Sequence, residues 1–385
     1  MHGMAGVAFG ASFTGHEGRS SMDKVAALVA DILAFIAMEE EGGCTDAQFD
    51  TLALRLFAHQ YSANPAYRTF CQRRGATLRS VERWSDIPAV PIDAFKATEL
   101  RSEPPRPDER VFMTSGTTRG AEARGRHFHP RLDVYDLSMA RNFQRRFMRG
   151  AGPMPMGILF PDEHLMPNSS LAHYLALARA VFGSPVSRHF VGAHGMHVVS
   201  LCAALEAAER TGTPYALLGA SYSFVHLMEA LHEKGRRFQL PPGSRVLDTG
   251  GYKGLSREVP PEDFYAGLSY TLGVPRELCI NMYGMTELST QFYDDGNAVV
   301  PSVKSGPHWI RSRLVDPATG RDVPPGERGI LVHCDLANYN SVTTILTEDV
   351  GEWAEGGFLL LGRAEGAQAK GCSLAVQDFM RATGK

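Results

Sequence analysis

The 385-residue chain has no run of apolar residues approaching the length of about 18 that a membrane-spanning helix needs. That leaves no integral membrane segment to expect. It also lacks an excess of positive charge. Lys and Arg number 39 against 42 Asp and Glu, a net charge of -3, so a surface built for a nucleic-acid backbone has no charge to draw on. A nucleotide needs only a local field and stays open. Cysteine is scarce: Cys44, Cys71, Cys202, Cys279, Cys334 and Cys372 are all there is. No two stand at CxxC spacing, which excludes a disulfide scaffold and a zinc-type pair and suits reduced thiols in a cytoplasmic protein. No GxxxxGK[ST] phosphate loop, internal repeat or low-complexity tract occurs. Residues 1–21 are small and Gly-rich, without the charged and apolar regions of a secretory signal, and read as a loose leader.

What is present is globular. Hydrophobic residues make up 44% and charged ones 21%, close to the average of folded domains, which rules out a disordered or fibrous chain. Val25, Leu28, Val29, Ile32, Leu33 and Ile36 recur at helical spacing. Thr45 and Gln48 form a capping box ahead of a second helix. Asn64, Pro65 and Gly75 bound a third. Pro88 and Pro91 make Ile87–Phe95 extended. From Val111 the texture changes. Met156–Phe160, Tyr215–Leu218, Val246–Asp248 and Leu278–Asn281 read as buried strands, and Leu171–Phe182, Phe224–His232 and Glu262–Leu272 as the helices between them. That alternation predicts an α/β sheet with helices on its faces. Gly329–His333 and Gly357–Leu361 predict a smaller β unit near the end.

Two strings carry chemistry. Thr114-Ser115-Gly116-Thr117-Thr118 follows the strand-like Val111-Phe112-Met113, and such a hydroxyl- and Gly-rich loop can surround a polyphosphate. Asn281-Met282-Tyr283-Gly284-Met285-Thr286-Glu287 follows another short strand. Thr347-Glu348-Asp349-Val350-Gly351-Glu352 and Gly362-Arg363 come after it, in order. Together these resemble the adenylate-forming (acyl/aryl ligase) superfamily. The length, Gly250-Gly251-Tyr252-Lys253 and the ending Lys370-Gly371-Cys372-Ser373-Leu374 look like its LuxE-type acyl-protein synthetase branch, from about residue 22 to the end.

The resemblance implies a fold, a reaction and roles. The fold is α/β, the large N-terminal part of the adenylate-forming enzyme: layered sheets with helices and a small β subdomain. It divides into a domain over 22–363 and a tail over 364–385 that carries Cys372. Within the domain a helical layer runs to about 100, an α/β core spans about 101–300, and the β subdomain about 301–363. The reaction is ATP plus a carboxylic acid, by family default a fatty acid, giving acyl-adenylate and pyrophosphate. Thr114, Ser115, Gly116, Thr117 and Thr118 would hold phosphates and Thr286 the α-phosphate. Glu287 would hold Mg2+, a hard cation that suits carboxylate and phosphate oxygens. Gly250, Gly251, Tyr283 and Gly284 match the adenine segments. Asp349 would take the ribose hydroxyls, and Arg363 ribose or phosphate.

The chain departs from the superfamily in two places. Arg119 and Ala121-Glu122-Ala123-Arg124-Gly125 replace the usual Gly and Pro-Lys-Gly after the loop, so the loop lysine is absent, and Arg124 or Arg126 is the alternative charge. Only 22 residues follow Arg363, too few for the mobile domain of at least about 50 residues expected there. Cys372 is the replacement the resemblance offers: a thiol on a mobile tail, beside Lys370, that takes the acyl group and passes it to a partner protein, a reductase or carrier. A standalone ligase that acylates CoA, a carrier thiol or an amine is the alternative, and a non-catalytic nucleotide-binding subunit is a third.

Other residues weigh less. His127 with His129, and His194 with His197, lack the third and fourth ligands of a metal site, and His127 and His129 are expected instead to flank the loop or cap a strand. Phe143, Phe147 and Met148 have core spacing. Ser221 and Ser223 open a helix, as caps or as neighbours of an acyl pocket. Asp162-Glu163-His164 stands past a strand end, where ligand crevices form.

Overall fold

The computed structural model describes residues 14–39, 44–115, 124–252 and 255–384. Three helices lead. Helix α1 (Thr14–Ala37) buries Leu28, Val29, Ile32, Phe35 and Ile36 along one face. It begins inside the stretch read as a loose leader. Residues 14–21 are polar or small, so apolar periodicity gave no sign of them. Helix α2 (Asp46–Ala63) starts at its capping box, with Gln48 N donating to Thr45 Oγ1 at 3.2 Å and Thr45 N donating to Gln48 Oε1 at 2.8 Å. Helix α3 (Pro65–Arg73) starts at Asn64, whose side chain accepts from Tyr67 N at 3.1 Å. Strand β1 (Val90–Pro91) and the short helix α4 (Ala94–Ala97) follow.

Strands β2 (Arg110–Met113) and β3 (Arg126–His129) pair antiparallel, with Met113 opposite Arg126 at the loop end. Helix α5 (Asp133–Phe143) leads into a doubly wound unit. Its elements are β4 (Met156–Leu159), α6 (Ser170–Phe182), β5 (Arg188–His189), the small pair β6 (Val191–Gly192) and β7 (Gly195–Met196), α7 (Val198–Thr211), β8 (Ala216–Ala220), α8 (Ser221–Glu233), β9 (Arg245–Thr249), α9 (Pro261–Leu272), β10 (Cys279–Tyr283) and β11 (Phe292–Tyr293). The sheet order is β11-β10-β9-β8-β4-β5, with only β11 antiparallel. Strands β4, β8 and β9 are buried throughout because helices cover both faces, which is why they read as unbroken apolar runs. Phe143, Phe147 and Met148 lie in the core on the α5–α6 face, as their spacing predicts.

The second sheet holds β12 (Val303–Lys304), β13 (Ile310–Val315), β14 (Gly329–Asp335), β15 (Thr344–Ala354) and β16 (Gly357–Arg363) in the order β12-β16-β15-β14-β13. Strand β1 adds in parallel along β15, with Val90 opposite Ile345. Strand β15 is the longest of the described strands, and the sequence reading did not call it, because Thr, Glu, Asp and Gly interrupt its apolar pattern.

Helix α10 (Gly366–Thr383) corrects the expected mobile tail. It packs against α3, β1 and α4, and the Phe379 ring lies 5.1 Å from that of Phe70. Cys372, Ala375, Phe379 and Ala382 are buried at steps of three and four, a helical stripe visible in the sequence. Gly371 allows the close docking: a Cβ there would meet Pro317 Cγ at 2.8 Å and Ala318 N at 3.1 Å.

The sheets are joined by a buried ion pair. Lys304 Nζ on β12 stands 2.6 Å from Asp294 Oδ2, with side-chain exposures of 5% and 1%. Asp294 also accepts from Asn281 N at 3.0 Å and from Ser302 Oγ at 2.6 Å, so its carboxylate is satisfied from both sides. Removing one partner strands the other charge, so Asp294→Asn or Lys304→Met is expected to cost about 3–5 kcal/mol in urea unfolding. A loss below about 1 kcal/mol would show that the pair does not hold the sheets together.

Candidate active site

The base of the phosphate loop meets the acidic motif. Thr114 closes the β2–β3 hairpin: its N donates to Gly125 O at 3.0 Å, and its Oγ1 accepts from Gly125 N at 2.9 Å. A Cβ on Gly125 would lie 3.2 Å from Glu287 Oε1 and 3.5 Å from Phe95 Cβ, so the absent side chain is what lets the carboxylate reach the loop. Thr114 Cγ2 would lie 3.1 Å from the same Cβ, so Thr114 is beside Glu287. Gly116, Thr117 and Thr118, with Arg119, lie outside the described residues, as does Lys253.

The motif itself is held from below. His127 Nδ1 lies 2.9 Å from Thr286 O. A carbonyl only accepts, so Nδ1 carries the proton and Nε2 accepts from Ser341 Oγ at 3.1 Å. Burial pulls the His127 pKa down to about 4, which keeps the ring neutral. Asn338 Nδ2 donates to Glu287 O at 2.9 Å, and Asp335 accepts from Ser289 N, Thr290 N and Thr290 Oγ1. None of His127, Asp335, Asn338 or Ser341 was assigned such a role from sequence, because their partners are distant along the chain. Gly284 passes close to Gln291, whose Cγ would lie 3.4 Å from a Cβ there.

Glu287 is 5% exposed. Burial raises its pKa from 4.5 to about 7, against the lowering fields of Lys96 and Arg363. A buried carboxylate held near neutrality, with its oxygens at the loop base, fits a hard divalent cation. Among the described residues no group of three or more His, Cys, Asp or Glu is placed to hold a metal, so most of the cation's other ligands would be phosphate oxygens and water.

Tyr283 and Asp349 meet across the two sheets, Tyr283 Oη donating to Asp349 Oδ2 at 2.8 Å. The Tyr283 ring packs among Phe292, His333 and Phe358, with centroids 5.8 to 6.1 Å away. Arg363, opposite Asp349 in the β15–β16 register, places Nε 3.3 Å from Asp349 Oδ1 and Nη1 2.8 Å from Glu348 Oε2. Burial raises the Asp349 pKa, while Arg363 and Tyr283 oppose the rise.

Gly250 and Gly251 follow β9, and a Cβ on either would meet nothing within 4 Å. Gly250 has a φ of +73°, a conformation that favours glycine. Beneath them Asp248 Oδ2 accepts from Ser221 Oγ at 2.8 Å and Asn281 Nδ2 at 2.9 Å, and Oδ1 accepts from Tyr265 Oη at 3.0 Å. Ser221 therefore does not cap α8; it ties the start of that helix to the glycine turn. Tyr252 Oη donates to Val259 O at 2.8 Å.

Cys372 lies behind β15. Its Sγ is 3.9 Å from Thr347 O, and it shares an apolar cluster with Leu346 and Val350. Val350, next to Asp349 where β15 pairs in regular register with β16, leaves the strand on the opposite face. Burial first, then Glu348 and Asp349, push the thiol up to about 11. Lys370 is on the exposed side of the helix and does not face it. Glu163 accepts from Arg110 at 2.5 Å and lies 2.9 Å from His173 Nδ1, so the Asp162-Glu163-His164 turn packs beside β2. A cavity of about 450 Å³ opens among Arg106, Asp108, Arg110, His129 and Arg131.

The acyl-protein synthetase LuxE family model matches residues 20–380. The long-chain-fatty-acid–luciferin-component ligase of Vibrio harveyi is 24% identical over 303 residues, 77% of this chain and 76% of that one. The ligase of the same name from Aliivibrio fischeri is 23% identical over 309 residues, 78% of each. The solved open conformation of 2-hydroxyisobutyryl-CoA ligase with 2-HIB-AMP and CoA superposes with a TM-score of 0.57 at 17% identity, covering 82% of this chain and 75% of that one. The fold is therefore the adenylate-forming ligase fold.

The Glu287 pKa has a measurable consequence. The unfolded chain loses this proton near 4.5 and the folded one near 7, so the stability it contributes is full below 4.5 and is lost as pH rises to 7. Glu287→Gln removes that loss and should be more stable than the parent by about 3 kcal/mol near pH 8. The gain should shrink toward zero near pH 4.5; urea unfolding showing the same difference at both pH values would contradict the assignment.

Proposed function

The chain belongs to the LuxE acyl-protein synthetase family, and from that premise we propose that the loop–Glu287–Asp349 site makes acyl-adenylate from ATP and a long-chain fatty acid. We propose further that Cys372 then takes the acyl group and passes it to a partner protein, a reductase or carrier. The observation that carries the reading is that Thr114 stands beside Glu287 while Tyr283, four residues before Glu287, bonds Asp349 of the second sheet. Relatives named for joining a long-chain fatty acid to a luciferin component supply the substrate class.

The chemistry follows from charge. A fatty carboxylate is already ionised near pH 7, so no general base is needed. Its oxygen attacks the α-phosphorus of ATP, the bond to the bridging oxygen breaks, and pyrophosphate leaves. Thr114 and Ser115, with Gly116, Thr117 and Thr118 of the same loop, donate to the phosphate oxygens. Thr286 donates to the α-phosphate. Glu287 would hold Mg2+ together with phosphate oxygens, and that ion supplies neutralising charge. Gly250, Gly251 and Gly284 leave backbone open to adenine, with Tyr283 bordering it. Asp349 receives the ribose hydroxyls when Arg363 swings from it.

The second step has its own demand. The Cys372 sulfur, deprotonated, attacks the acyl carbonyl, the carbon–oxygen bond to AMP breaks, and a thioester forms. In the docked state the thiol is buried and pushed up to about 11, so α10 must release it first. That burial also favours the rival acceptor, a thiol or amine from outside. The six free cysteines suit a reducing compartment such as the cytoplasm, and no described helix is long and apolar enough to cross a membrane.

Intact-protein mass spectrometry after incubation with ATP, Mg2+ and hexadecanoic acid tests the reading. The parent should gain one hydroxylamine-labile hexadecanoyl group and Cys372→Ala none. Pyrophosphate release without any adduct would move the acceptor outside the chain. No release with any acid would overturn the adenylation reading.

A further inference from the structure

The described site is short of positive charge. Glu287, Glu348, Asp349 and Asp93 bring four carboxyl groups to it, and a triphosphate adds about four more negative charges near neutral pH. Arg363 is engaged with Glu348 and Asp349. Arg126 is turned onto Glu99, at 3.2 Å, and lies along the Phe128 ring. Of the residues that the sequence brought forward, that leaves Arg124, whose Nε has no hydrogen-bond partner, and room for a further cation at the pyrophosphate end.

Helix α4 supplies one. Strand β1 runs beside β15, and Ile92 N donates to Leu346 O at 3.0 Å, which hangs residues 92–97 next to Thr347–Asp349. Phe95 is fully buried, its Cβ 3.5 Å from the Cβ position of Gly125, where Glu287 Oε1 also stands at 3.2 Å. Its ring packs edge-on against His127, with centroids 5.8 Å apart. Phe95 therefore anchors α4 at the base of the phosphate loop. Lys96 is the next residue. Its Nζ is parked on Asp93 Oδ1 at 2.6 Å, with 45% of the side chain exposed, so it is free to exchange that contact for an anion. Its field reaches Glu287 and Glu348.

We propose that Lys96 is the cation that contacts the β- and γ-phosphates of ATP and the departing pyrophosphate, released from Asp93 when the nucleotide enters. This rests on the adenylating reading of the same site. The role is confined to the first step: pyrophosphate has gone before the thioester forms, so the second step has no use for Lys96. A merely structural residue would affect both.

The test separates the steps. With hexadecanoic acid and ATP, Lys96→Met should lower the kcat of pyrophosphate release by about a hundredfold, the range seen when one charge-stabilising donor is lost. Lys96→Arg should recover part of it. Supplied synthetic hexadecanoyl-AMP, Lys96→Met should acylate Cys372 within about twofold of the parent, since no P–O bond to pyrophosphate is then broken. Equal losses in both assays, or no loss in the first, would overturn the proposal. Failure of the parent itself to release pyrophosphate would instead sink the adenylation reading, and the two failures are distinct.

Discussion

The hydrogen bond from Tyr283 Oη to Asp349 Oδ2, 2.8 Å long, joins the end of the doubly wound sheet to the middle of the antiparallel one. A bond to a charged, largely buried carboxylate contributes roughly 1.5–3 kcal/mol, more than an exposed contact could. Everything in the crevice is placed relative to it. Tyr283 fixes where Gly284, Thr286 and Glu287 begin. Asp349 fixes the register of β15 against β16 and so the position of Arg363. The buried Asp294–Lys304 pair keeps the same two sheets from sliding and thereby holds the bond in line.

Strand β15 then divides two chemistries. On one face Asp349 meets Tyr283 and Arg363. On the other Leu346 and Val350 cover the Cys372 thiol. The strand also carries β1, and through β1 the helix with Lys96. In the proposed reaction a thiol stored behind the strand does not attack an adenylate made in front of it, and its raised pKa keeps it protonated meanwhile. An acyl-protein synthetase gains from that separation: a thiolate present during adenylation would be open to oxidation and to stray acylation.

Much of the fold was legible because its elements carry strong local signals. The capping box at Thr45, the Asn64–Pro65 start and the four apolar strands all follow from short-range physics. Strand β15 was missed because its two faces serve different neighbours, so Thr347, Glu348 and Asp349 break any alternation. Helix α10 was missed by reading a C-terminal position as mobility although the stripe at 372, 375, 379 and 382 was there. In the site, Glu287, Tyr283, Asp349 and Thr114 were named from their motifs; Thr114 stands beside Glu287, and Tyr283 bonds Asp349. Residues that act through distant partners, such as His127 on Thr286, have no spacing signature at all.

The account depends most on the release of α10 once acyl-adenylate has formed. Hydrogen–deuterium exchange of the parent protein, with and without a non-hydrolysable hexadecanoyl-adenylate analogue, reads this directly. The amides around Gly371–Ala375 should lose protection when the analogue binds, while those of β9 and β10 stay protected. Unchanged protection of that helix, in protein that still acylates Cys372, would show that the thiol reaches the adenylate without leaving its place behind β15.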